Sequence, residues 1–223
     1  MTTTAESGRL VATTNDSPPG TWIQRYYLDV VNYEKPADPS VRKPTQISGS
    51  LIGLSSGGQL LFTQGSRYGD PAKWTDYSER IDALAYDGVA AHLVDSIDLP
   101  TAWPHPALVQ DGFVFLGRPA ATNQTAAVET WSLSTVGKFN RVGNVSLNDN
   151  TQNIASVNDL LTLQLSNKIA VYDRTAPAAL TLLGSGGPDS CIGYDIESAD
   201  GDRAHGLWLP LSLYGATRVV SQK

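Results

Sequence analysis

Gly53-Leu54-Ser55-Ser56-Gly57 spells G-x-S-x-G, the string that in α/β-hydrolases lifts a nucleophilic serine onto a sharp strand-to-helix turn. The residues that follow, Gly58-Gln59-Leu60-Leu61-Phe62, read as a strand, so this copy is expected to close a hairpin. Gly184-Ser185-Gly186-Gly187 has no helix behind it to offer a phosphate and likewise reads as a turn. Asp195, Glu197, Asp200 and Asp202 gather around a glycine in YDIESADGDR. Clustered carboxylates suit Ca²⁺, yet the spacing departs from an EF-hand loop, and Asp-Gly-Asp is also what a solvated hairpin tip looks like. No metal site and no cofactor are assigned. His92, His105 and His205 have no His or Cys neighbour at ligand spacing. A Ser-His-Asp triad assembles in space and nothing here singles one out. No carboxylate pair nominates itself for glycoside hydrolysis either.

Charge narrows the partners. Sixteen Lys and Arg against 22 Asp and Glu give a net charge of -6, which repels a phosphate backbone, and no basic cluster offsets it. Nucleic acid is therefore excluded as a partner. The single cysteine, Cys191, rules out an intrachain disulfide and a cysteine-based zinc site, and reads as a small buried apolar residue. No apolar run is long enough to span a bilayer. The start, MTTTAESGRL, lacks the basic and apolar regions of a signal peptide. Low Lys content and a Ser/Thr/Asn-rich composition lean toward an extracytoplasmic location, secreted or periplasmic. Asn123-Gln124-Thr125 and Asn144-Val145-Ser146 fit the glycosylation sequon, a string frequent by chance.

The elements that must position any site are strands. Charged residues are only 17% of the chain, and the polar bulk comes from Ser, Thr, Asn and Gln, which suits sheets and turns. The best helical candidate, ERIDALAYDGVAAHLVDSIDL (79–99), is broken by Asp87-Gly88, a hairpin signal between apolar runs, and reads as two strands. Four segments share one shape of strand, polar turn and strand, beginning near residues 27, 81, 128 and 168. Hairpins lie between them, turning at Ser56-Gly57-Gly58, Asp111-Gly112 and Asn158-Asp159. Four strands every roughly 40 to 50 residues describe a β-propeller blade. The fold expected is therefore all-β, a propeller of about four to five blades with four antiparallel strands each. It would be either a closed ring or part of a larger propeller, with a β-sandwich as the alternative. The chain 1–223 reads as one propeller domain: a partial blade over 8–48, blades over 49–100, 101–147 and 148–187, and a partial blade over 188–223.

The stretch LDVVNYEKPADPSVRKPTQISGSLIGLSSGGQLLFT resembles bacterial propellers with LVIVD-like repeats, in which an apolar strand ending in Asp is followed by a Pro-x-x-Pro turn. Leu28, Val30, Val31, Pro36, Pro39, Val41 and Gly49 sit at matching places, with Asn32 in place of the usual Asp. The likeness covers residues 28–63 well and 169–180 in part. It implies a propeller fold and a binding or surface role, with little chemistry.

In a propeller, the loops joining strand two to strand three and one blade to the next share a face. The longest here is GSRYGDPAKWTDYSER (65–80), holding Arg67, Tyr68, Lys73, Trp74 and Tyr77; LPTAWPHP (99–106) adds Trp103 and His105, and GRPAATNQTA (117–126) adds Arg118. Sixteen residues is long for an ordered connection, and aromatics with arginine suit a binding surface. The competing reading is that Trp74 and Trp103 fold down to cap blade edges. The function expected is a non-enzymatic binding or scaffolding module. Its ligand residues would be Arg67, Tyr68, Trp74, Tyr77, Trp103, His105 and Arg118, and its partner a protein, peptide or glycan. Exposed blade edges would favour self-association. The alternative is a glycan-acting hydrolase or lyase with its site in the propeller funnel.

Overall fold

The computed structural model describes residues 3–6, 9–21, 23–55, 58–70, 77–99, 105–166, 168–187, 196, 199–202, 204–210 and 216–219, with no side-chain description at 3–6, 68, 77, 210, 216, 217 and 219. Among these residues the chain forms five meander sheets and no α-helix. The first contains β1 (Thr3–Glu6), β2 (Arg9–Asp16) and β3 (Arg25–Asn32), with β4 (Ser40–Val41) and β5 (Thr45–Ile47) both paired to β3. The second is β6 (Ser50–Leu54), β7 (Leu60–Tyr68), β8 (Tyr77–Tyr86) and β9 (Ala91–Leu99). The third is β10 (Ala107–Gln110), β11 (Phe113–Arg118), β12 (Ala127–Leu133) and β13 (Phe139–Ser146). The fourth is β14 (Thr151–Val157), β15 (Leu160–Leu165), β16 (Ile169–Asp173) and β17 (Thr181–Gly186). The fifth is β18 (Asp200–Asp202), β19 (Gly206–Pro210) and β20 (Ala216–Val219). The architecture is all-β with four-stranded antiparallel blades of the propeller kind. Five separate meanders, in place of two facing sheets, set the sandwich alternative aside.

Turn chemistry sets the registers. Asp111 and Gly112 both lie at positive φ (51° and 79°), the pair of left-handed residues that a two-residue hairpin of matching twist requires. Asn158 alone lies at positive φ (51°) in the turn between β14 and β15. The Asp87-Gly88 break does separate two strands, β8 and β9, rather than interrupt a helix. After β3, Asn32 Oδ1 accepts the amide of Glu34 (2.9 Å) and turns the chain outward. Pro36, Pro39 and Pro44 then bring no N–H to a ladder, so the outer strand is split into β4 and β5.

One expectation needs correction. Residues 65–80 are not a sixteen-residue loop: β7 and β8 stay paired from Gly65↔Arg80 out to Tyr68↔Tyr77, leaving only 69–76 as the connection. Gly65-Ser66-Arg67-Tyr68 and Tyr77-Ser78-Glu79-Arg80 both tolerate extended backbone, and pairing satisfies amide and carbonyl groups that a loop would leave to water.

By its contacts the chain divides into two compact units: 1–101 with 109–112 and 133–140, and 102–108 with 113–132 and 141–223. In the first, Leu28, Val30 and Ile47 meet Leu51, Leu61 and Leu84, while Leu60, Phe62 and Ala83 meet Val109, Leu133 and Phe139. In the second, Phe115 and Val128 meet Ile154, Leu161 and Leu163, while Ile169 and Val171 meet Leu207 and Leu209. Successive residues of a strand point to opposite faces, so Leu60 and Leu61 serve different cores. That is why these inner strands are continuous apolar runs and not alternating ones. No helix among the described residues is long and apolar enough to cross a membrane.

Glycine permits one close crossing in the first unit. A Cβ on Gly49 would collide with the carbonyl oxygen of Gln64, and one on Gly65 with the carbonyl oxygen of Ser48. Both obstacles are backbone and cannot swing aside. Gly49→Ala and Gly65→Ala are each expected to lower unfolding free energy by about 1–3 kcal/mol. Gly186→Ala, with nothing within 4 Å of its Cβ, should leave the urea midpoint unchanged.

Candidate functional site

A half-open cavity of about 550 Å³ lies at the turn end of the second sheet. Its floor is apolar: Leu54 from β6, Leu60 and Phe62 from β7, Val109 from β10 and Leu133 from β12. Its rim is polar and comes from three turns, with Ser55 and Gln59, Asp111 beside Gly112, and Ser134 with Thr135. Local structure fixes each rim group. Ser55 Oγ accepts the amide of Leu60 (3.1 Å), and Ser134 Oγ accepts that of Lys138 (2.9 Å), so both hydroxyls close turns and keep an O–H to donate. Asp111 sits in the left-handed turn geometry, on the rim. Gly53 and Leu54 of the G-x-S-x-G string end β6 and Ser55 acts on its own turn, while Ser56 and Gly57 lie outside the described residues.

A second feature emerges from register. Arg9↔Asn32, Leu60↔Ala85, Phe113↔Ser132 and Leu160↔Asp173 start the pairing of strands two and three in the first four sheets. Three residues before the second partner of each pair stand Asp29, Asp82, Glu129 and Ala170. Three sheets therefore carry a carboxylate at one equivalent place. Asp82, its side chain 2% exposed, binds Arg80 Nε (3.0 Å) and accepts from Ser96 Oγ (2.7 Å). Glu129 takes Arg118 Nε (2.9 Å) and Trp131 Nε1 (3.1 Å) on one oxygen and Arg141 Nη1 (3.1 Å) on the other. Asp29 accepts from Thr14 Oγ1 at 2.8 Å. A buried carboxylate survives only when paired, and these are. Sequence reasoning passed over them, although an acid between two uncharged residues marks each: Leu28-Asp29-Val30, Ile81-Asp82-Ala83 and Val128-Glu129-Thr130.

The residues nominated from sequence fall apart into several settings. Arg67 is exposed near the end of β7; Tyr68 and Tyr77 pair across β7 and β8. Lys73, Trp74 and Trp103 lie outside the described residues. His105 is 3% exposed, so it is packed inside and not presented on a loop. Arg118 is committed to Glu129. The Tyr68–Tyr77 pair and the cavity occupy opposite ends of β7, eight residues and about 26 Å apart. The cavity was missed because its turns are legible one by one, while the gap between neighbouring turns is not.

Asp195 and Glu197 also lie outside the described residues, and no group of three or more metal-ligating side chains occurs among those described. Asp202 is a turn cap: its Oδ1 accepts the amides of Ala204 (2.8 Å) and His205 (2.7 Å), and Oδ2 meets His205 Nδ1 at 2.7 Å. The His205 ring hydrogen bond, then the His205 amide, hold the Asp202 carboxyl below the usual range. Asp87 is lowered in the same way by the amides of Ala90 and Val89.

No family model and no curated protein matches the sequence. Solved structures do match. A protein from Lactobacillus plantarum superposes with a TM-score of 0.61 at 13% identity, over 97% of this chain and 67% of its own. A functionally unknown protein from Desulfotomaculum acetoxidans gives 0.55 at 12% identity, over 89% of this chain and 62% of its own. This chain thus spans about two thirds, or less, of the length of the structures it resembles. At such identities the likeness shows the propeller-like fold and nothing finer.

Two measurements follow. Asp82→Ala removes the buried carboxylate that ties Arg80, its side chain 21% exposed, to Ser96 and is expected to cost about 1–3 kcal/mol in urea unfolding; Asp29→Ala, at the less buried equivalent, should cost less. Asp87 and Asp202 have folded pKa values below their unfolded ones. Their contribution is present above the unfolded value of about 3.9 and is lost as pH falls through the folded one. In a carboxyl NMR titration both should reach their midpoints below that value, and Asp87→Asn should remove the acid response of the Val89 and Ala90 amides.

Proposed function

We propose that this protein is a non-enzymatic binding module of propeller type that holds a protein, peptide or glycan partner. The observation that carries the reading is the cavity between the β6–β7 and β10–β11 turns. Its volume of about 550 Å³ lies within the range of roughly 300–1,000 Å³ usual for ligand sites, with the usual apolar floor and sparse polar rim. Glycoside hydrolysis needs two carboxylates facing each other across a cleft. The described lining of this cavity supplies one, Asp111. Ser55 accepts the Leu60 amide in its own turn, and no histidine stands in the described lining to take its proton. These points favour retention of a ligand over its cleavage.

Arg67, Tyr68, Trp74 and Tyr77 remain part of the proposal as a contact region separate from the cavity, and Trp103 as a further ligand residue; His105 is buried and Arg118 is held by Glu129, so neither is retained. An extracytoplasmic location and the LVIVD-type kinship belong to the same proposal.

The test is screening of the full chain against glycan and peptide arrays, followed by titration of the best ligand with three variants. Ser134→Trp fills the cavity mouth and should weaken binding at least tenfold; Trp74→Ala tests the other end. Asp111→Asn keeps a residue that tolerates left-handed backbone and should weaken a ligand that donates to the rim. Loss with Trp74→Ala alone would move the site to the loop end. Turnover of a glycan by the wild-type chain would sink the non-enzymatic reading.

A further inference from the structure

The cavity beside the β6–β7 and β10–β11 turns makes three separate demands on whatever fills it. The first is for apolar surface. Leu54, Val109 and Leu133 are half-buried and widen a floor whose Leu60 and Phe62 are buried. Leu60, Phe62, Val109 and Leu133 share one core cluster, so packing fixes that floor. A hydroxyl or a charge set against it would lose water and find no partner.

The second demand is for hydrogen-bond acceptors. Ser55 Oγ and Ser134 Oγ each accept one amide, from Leu60 and from Lys138. Among the described residues, neither hydroxyl gives its proton to an acceptor. Their own turns hold both oxygens in place, so the two donors are set before any ligand arrives. The third demand is for positive charge. Asp111 is the one charged side chain in the described lining. Lys138, in the neighbouring β12–β13 turn, is committed to the Val94 carbonyl (2.7 Å) and to Asp95 (3.9 Å).

Resting on the reading of this cavity as a ligand site, we propose that its occupant is a peptide segment in which an apolar side chain stands beside a lysine or arginine. The apolar side chain takes the floor, peptide carbonyls accept from Ser55 and Ser134, and the basic head group meets Asp111. A neutral glycan answers only the second demand, because its hydroxyls would lie unpaired against the floor. An acidic peptide answers the first two and is repelled at Asp111.

The test is amide NMR titration of the full chain at low salt with four probes. Three are pools of acetylated, amidated hexapeptides: apolar residues beside Lys or Arg, apolar residues beside Asp or Glu, and Ser beside Lys or Arg. The fourth is a mixture of neutral oligosaccharides. The amides of Gly112 and Thr135 report the cavity. The apolar-basic pool should shift both, and should bind roughly fivefold or more tightly than either other peptide pool; high salt should narrow its lead over the acidic one. Asp111→Asn, which keeps a residue at home in left-handed backbone, should level the apolar-basic and apolar-acidic pools. Equal binding of those two pools by the wild type overturns the peptide assignment while leaving a ligand site in place. Tighter binding of the Ser-basic pool or of the oligosaccharides at the same amides does so too. If no probe moves Gly112 or Thr135, the ligand-site reading itself falls, and this one with it.

Discussion

Burying both faces of the inner strands constrains everything else in this chain. A strand covered on one side can alternate apolar and polar residues; a strand covered on both must be apolar throughout or must neutralise whatever polar group it takes in. Leu60-Leu61-Phe62, Val114-Phe115-Leu116 and Leu160-Leu161 follow the first course, with exposures of 8% or less. The outer strands are relieved of the constraint, and they are where prolines, register shifts and exposed apolar residues such as Leu93 and Leu182 collect.

The strand-three carboxylates follow the second course. Replacing one with an apolar residue is evidently compatible with the fold, since Ala170 fills the equivalent place in the fourth sheet and joins its core. What the acid adds is a directional tie between neighbouring strands. Asp82 links β8 to β9 through Ser96, and Glu129 links β12 to β11 and β13 through two arginines. A buried ion pair stabilises little beyond an apolar pair of the same volume, but a misregistered one leaves a charge stranded. In strands whose two faces are equally apolar, a one-residue slip costs less hydrophobic burial than usual. In the second and third sheets the paired acid penalises that slip.

Much of this was legible and some was not. Turn residues located the hairpins at Asp111-Gly112 and Asn158-Asp159, because left-handed geometry restricts residue choice sharply. The four segments beginning near 27, 81, 128 and 168 coincide with strand three of successive sheets, and the acid at the same place in the first three of them was visible but went unread. Strand ends were less legible. Gly65-Ser66-Arg67-Tyr68 has no strong preference, and only its pairing with Tyr77-Ser78-Glu79-Arg80 makes it a strand. Aromatic content drew attention to that end of the sheet. The cavity forms at the other end, from Ser, Gly, Gln and Asp in turns that look unremarkable singly. His105 shows the same limit: a histidine between prolines reads as a loop residue, and packing buried it.

The division of labour between strand and turn bears on where function can reside. The strand interiors have no freedom to vary, because each side chain answers to a core or to an ion pair. The turns at the cavity are differently placed: Ser55, Ser134 and Asp111 hold backbone geometry that Gly, Asn or Thr would also tolerate. Rim chemistry can therefore change while the floor of Leu60, Phe62 and Leu133 stays, since those three belong to the core that joins the strands. A fixed apolar floor with exchangeable polar turns is the arrangement that the proposed ligand-holding role would use.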